Sequence, residues 1–195
     1  MAQRKIIVAG VSSAGKSTFI ERMLEDQSSH ETEVFFAGRL VRAFGLTGIA
    51  PRSLNLGAKP VAIVHYNTQS SWISTAEHVP PVEEDPLVQA LRSHAAAYEL
   101  YLCYAPDAVI RERMARRTAV EPVLGETDYA YPNTRLCAEF DRIDQRERLL
   151  AFAKAFHSHC PQPTVVFSNA RKTSLLSWEA FRHGNPTPEL ESALM

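Results

Sequence analysis

Residues Gly10-Val11-Ser12-Ser13-Ala14-Gly15-Lys16-Ser17 read G-x-x-x-x-G-K-S and follow directly on the apolar run Ile6-Ile7-Val8-Ala9. This pattern is a phosphate-binding loop, and it constrains the chain because it works only between a buried strand and the start of a helix. Glycines at both ends let the backbone wind tightly, so that successive N–H groups point into one concavity. Lys16 then reaches the β and γ phosphates, and Ser17 offers a hydroxyl to Mg²⁺ while the positive end of the following helix faces the same anion. The downstream context agrees: Phe19, Ile20, Met23 and Leu24 fall on one helical face, with Glu21, Arg22, Glu25 and Asp26 mostly opposite. Gly10, Ser12, Ser13, Ala14, Gly15, Lys16, Ser17 and Thr18 are thus the expected nucleotide-binding residues, with Ser17 as the metal ligand.

With 195 residues there is room for one α/β domain and its core, here expected over 1–182 with a flexible tail at 183–195. A net charge of −1 argues against a general polyanion binder, so no nucleic-acid partner is expected. No apolar run approaches membrane-spanning length and no signal-peptide layout is present, so no membrane partner is expected either. Cys103, Cys137 and Cys160 lack C-x-x-C spacing, which speaks against a disulfide framework or zinc site and for a reducing, cytoplasmic setting.

Along the chain, strands are expected at Val34–Ala37, Val61–Tyr66, Glu99–Tyr104 and Thr164–Phe167 besides the first. Between them lie a mixed segment over 40–60, a loop from Asn67 to Asp85, and a helix opened by the Asp85-Pro86 cap pair and running to about His94. Further helices are expected from Asp107 to about Thr118, from about Thr134 to His157, and around Leu175–Phe181. Alternation of strand and helix predicts a three-layer α/β fold, an open parallel five-stranded sheet with helices on both faces and the ligand at the strands' C-terminal ends.

With this strand, loop and helix layout the chain resembles the P-loop kinases of the nucleoside-monophosphate-kinase type, the specific match covering roughly the first 25 residues. A second likeness lies at Ala105–Arg117: in that family a strand leads to a helix carrying arginines one turn apart, and then to a lid. Arg113 and Arg117 share a helix face, with Arg116 alongside, and residues 119–133 occupy the lid position. The resemblance implies phosphoryl transfer from ATP or another nucleoside triphosphate, with Mg²⁺, to a small-molecule acceptor such as a nucleotide, a sugar or another metabolite. Lys16, Arg113 and Arg117 would be catalytic, because guanidinium groups meet the charge spread over a transferring phosphoryl group. Arg39, His65 and Asn67 are the candidate acceptor contacts.

The chain departs from the family where a strand-end carboxylate belongs, since the third strand ends His65-Tyr66-Asn67; Glu77, Glu83, Glu84 and Asp85 come later. A nucleotide switch without efficient turnover therefore stands as the alternative, although no N-K-x-D or strand-end D-x-x-G motif accompanies the loop. Oligomeric state is not legible.

Overall fold

Strand β1 (Arg4–Gly10) is buried from Ile6 to Gly10, the pattern of a central parallel strand covered on both faces. The computed structural model describes residues 2–26, 29–37, 40, 54–69, 81–116, 133–169 and 172–183. Arg39, Arg117, nearly all of the expected lid and residues 184–195 lie outside them, as do the side chains of 133–136.

After β1 come α1 (Lys16–Asp26), β2 (Thr32–Phe36), β3 (Val61–Asn67), α2 (Pro86–His94), β4 (Glu99–Tyr104) and α3 (Asp107–Arg116). There follow α4 (Asn133–Phe140), α5 (Gln145–Ala155), β5 (Thr164–Ser168), β6 (Thr173–Leu176) and α6 (Trp178–His183). The sheet order is β2-β3-β1-β4-β5-β6. β1 runs parallel to β3 from Arg4↔Val61 to Gly10↔Asn67 and to β4 from Ile6↔Glu99 to Ala9↔Leu102. The chain thus leaves β1 toward one side of the sheet and later returns to its other side. The carboxyl end of β1 is a topological switch point, where open α/β sheets form a crevice.

Residues alternate between two cores. Ile7, Ala9, Val64, Leu100 and Val165 pack with Leu87 and Leu91 of α2 and with Leu149 and Phe152 of α5. Ile6, Val8, Ile63 and Val166 pack with Ile20 of α1, Ile110 and Met114 of α3 and Phe140 of α4. Helices on both faces agree with the expected three layers.

Two expectations need correction. Among the described residues the sheet has six strands, not five: Thr173–Leu176, expected to lead into a helix over Leu175–Phe181, instead pairs antiparallel with β5. Asn169 causes the reversal by accepting from Lys172 N at 2.7 Å through Oδ1, while its own N–H donates to Lys172 O at 3.0 Å. The helix starts only at Trp178, its first turn held by Ser177 Oγ, which accepts from Ala180 N.

The long helix expected over 134–157 is likewise two helices. Phe140 is buried in one core and Leu149 in the other, so one straight rod could not serve both. The chain turns through Asp141–Ile143, and Asp144 caps the new helix by accepting from Glu147 N.

The Asp85-Pro86 pair opens α2 as expected, with Asp85 Oδ1 accepting from Leu87 N at 2.8 Å. Its second oxygen accepts from the buried Tyr66 hydroxyl at 2.7 Å. Burial first, and Asp85 second, push the Tyr66 phenol well above its usual range, so it remains a neutral donor. Asp85→Ala removes a cap worth about 1 kcal/mol and orphans a buried hydroxyl at about 1–3 kcal/mol. A urea midpoint equal to that of the parent chain would refute this double role.

Candidate functional site

Gly10 and Gly15 shape the loop for different reasons. At Gly10 an added Cβ would lie 2.6 Å from the Cys103 carbonyl oxygen, so β1 and β4 could not approach as they do. Gly15 has φ 95°, which side-chain-bearing residues rarely adopt. Ser13 holds φ 63° without being glycine, a left-handed conformation costing about 1–2 kcal/mol. Gly10→Ala is expected to lower stability by about 2 kcal/mol or more, because the obstacle is backbone and not a movable side chain. An unchanged thermal midpoint would contradict it.

Lys16 is only 4% exposed, and its ammonium donates to the carbonyls of Gly10 at 3.0 Å and Val11 at 2.7 Å. The cation is therefore held against the loop itself. The helix that Lys16 opens contributes first-turn N–H groups that no intrahelical carbonyl can satisfy. Together these features suit the phosphate chain of a nucleotide: a tight glycine turn, a fixed cation and a helix N-terminus.

The third strand's end is built into the loop. Thr68 N donates to Gly10 O at 3.0 Å, Asn67 Nδ2 to Ser12 Oγ at 3.0 Å, and Ser12 N to Gln69 Oε1 at 3.1 Å. Asn67, expected as an acceptor contact, here bonds the loop. His65 Nε2 lies 3.4 Å from Ser17 Oγ, a long contact, and its ring packs 5.1 Å from that of Phe36. Ser17 is thus placed at the loop's helical end beside an imidazole.

Arg113 reaches the loop from α3. One amino group donates to Ser13 O at 3.1 Å, and the other to Ser168 Oγ at 2.9 Å and Asn169 O at 2.8 Å. Burial lowers its pKa, with Glu112 opposing, yet a guanidinium stays cationic. Arg116 instead forms an exposed i,i+4 ion pair with Glu112. Arg146 donates to the carbonyls of Phe181 and Arg182, tying α5 to α6. Of the later carboxylates, Asp85 is committed to its cap and to Tyr66, while Glu83 and Glu84 are exposed. Among the described residues no group of three His, Cys, Asp or Glu could hold a metal ion. No helix among them is long and apolar enough to cross a membrane.

Sequence reasoning missed Gln69, Ser168, Asn169 and Arg148, whose Nε donates to Thr68 O at 3.1 Å. Ser168 and Asn169 had a usable signal, since they end an apolar strand at the same edge as the loop. Gln69 had none. Cys103, buried beneath the loop, has its thiol pKa pushed up to about 12 by burial, against the pull of the Lys16 charge. Alkylation at pH 8 is expected to label Cys137 and Cys160 well before Cys103, because only the thiolate reacts. Equal rates in the folded protein would show that Cys103 is not sealed.

No family model matches the chain, and no curated protein matches it. Among solved structures, a similar chain is an unliganded sugar kinase from a Janibacter species, 14% identical, with 99% of this chain and 93% of that one covered at a TM-score of 0.45. A likeness of that degree leaves function to be argued from the site's own residues.

Proposed function

We propose that the chain is a P-loop phosphotransferase that binds a nucleoside triphosphate on Gly10–Ser17 and passes its γ-phosphoryl group to a small acceptor. The observation that carries this reading is the glycine turn between β1 and α1, with Lys16 bonded against it and Arg113 entering it from α3. Gly10, Ser12, Ser13, Ala14, Gly15, Lys16, Ser17 and Thr18 form the nucleotide cradle. When bound through Ser17 Oγ, Mg²⁺ would neutralise phosphate charge. Lys16 stabilises the transferring group, and Arg113 keeps the loop and the end of β5 in register beside it. Arg117, the lid at 119–133 and an acceptor site using Arg39 and His65 belong to the same proposal. The acceptor is a nucleotide, a sugar or another metabolite hydroxyl.

Calorimetric titration with Mg·ATP and Mg·GTP, followed by a phosphotransfer screen over nucleosides, nucleotides and sugars, tests the reading. Acceptor-dependent product supports a kinase; no nucleotide binding at all would end it. One observation favours a second reading, a nucleotide switch: β3 ends on Asn67, and Asp85 is already engaged by Tyr66 and α2. Nucleotide binding with slow, acceptor-independent hydrolysis would select the switch.

A further inference from the structure

The left-handed Ser13 is a strained backbone position, and such positions persist where their surroundings over-determine them. The restraints come from three places. Gln69 Oε1 holds the Ser12 N–H at 3.1 Å, and Asn67 Nδ2 holds Ser12 Oγ at 3.0 Å. Arg113 holds Ser13 O at 3.1 Å, and within the loop Ala14 N donates to Val11 O at 3.3 Å.

The strand-end pieces also lock each other. Gln69 N donates to Asn67 Oδ1 at 3.1 Å, so both ends of the Asn67 amide are used. Thr68 N bonds Gly10 O, and Thr68 O accepts from Arg148 Nε at 3.1 Å, which anchors the segment to α5. Gln69 is 0% exposed, so water does not compete for its bond to Ser12.

We infer that Asn67–Gln69 is a brace that holds the loop in its anion-ready curve before any ligand arrives, and that Gln69 is a positioning residue for nucleotide binding. The brace itself is independent of function; its effect on affinity rests on the nucleotide reading proposed above. A loop released from the brace spends only part of its time in the competent shape, and apparent affinity falls by that fraction. Ser13→Gly removes the conformational cost that the brace offsets, so in that background the brace matters less.

The test uses Gln69→Met, which keeps the volume and removes the acceptor, and Asn67→Ala, which cuts the second strut should the first variant fold poorly. Hydrogen exchange across residues 10–17 of the ligand-free protein should speed up in either variant. Calorimetry with Mg²⁺ and a non-hydrolysable ATP analogue should show Kd rising about tenfold for Gln69→Met in the parent chain, but only about twofold in the Ser13→Gly background. Unchanged exchange overturns the brace, whatever the nucleotide result. Faster exchange with an unchanged Kd, or with equal losses in both backgrounds, overturns the positioning role. Faster exchange in the variants, together with a parent chain that binds no nucleotide, leaves the brace standing but overturns Gln69's nucleotide-positioning role and refutes the proposed function.

Discussion

Lys16→Ala is expected to reduce acceptor-dependent phosphoryl transfer by about a thousandfold, on the scale of losing one preorganised donor to developing charge. The expectation follows from where the ammonium sits. It is nearly sealed from water and bonded to the loop's own carbonyls, so its charge is fixed before the reaction and is poorly screened. Truncation removes the cation and also leaves the carbonyls of Gly10 and Val11 without that donor. Nucleotide affinity should therefore fall too. Lys16→Arg should not rescue turnover, because a wide planar fork cannot replace a compact ammonium in this packed turn. Steady-state transfer assays paired with calorimetry decide the matter: parent-like turnover and affinity in Lys16→Ala would remove the loop from the site.

Arg113→Ala should lower turnover by about a hundredfold while changing nucleotide affinity only a few-fold. Its guanidinium joins three pieces of chain, bonding Ser13 O in the loop and both Ser168 Oγ and Asn169 O at the end of β5. Losing it lets the loop and the neighbouring strand end shift relative to one another, and small misplacements weigh far more on a transition state than on ground-state binding. Arg113→Lys keeps a positive charge but lacks the fork needed to span the three acceptors, so it should recover little. Reduced nucleotide affinity with an unchanged kcat would mean that Arg113 serves binding alone.

The two residues also show how far the sequence could be read. Lys16 is found by local spacing, since strand, glycines, lysine and helix are contiguous. The strands Glu99–Tyr104 and Val61–Asn67 were visible as apolar runs because both sheet faces are covered, and the Asp85-Pro86 pair announced α2 through cap chemistry. Arg113 was singled out by the family resemblance together with helical spacing, but its partners lie far along the chain, and nothing local tells Ser168 that an arginine will reach it.

β6 was missed because an edge strand needs cover on few sides. Thr173-Ser174-Leu175-Leu176 has one leucine 63% exposed and no long apolar run, so only the turn at Asn169–Lys172 betrays it. The break between α4 and α5 was hidden for another reason. Asp141–Asp144 contains no glycine or proline, and the chain stops one helix there because Phe140 and Leu149 belong to opposite faces of the sheet. Arg39 and Arg117 fall outside the described residues.

The order β2-β3-β1-β4-β5-β6 also bears on how the chain is made. β1 leaves the ribosome first, yet both its neighbours, β3 and β4, are encoded far downstream, and β2 is no partner to it. At about 5–20 residues per second, the apolar run Ile6–Ala9 waits several seconds for Val61–Asn67 to emerge. During that wait it has neither of its sheet partners, and a nascent chain stalled before β3 would present a sticky segment in place of the centre of a sheet.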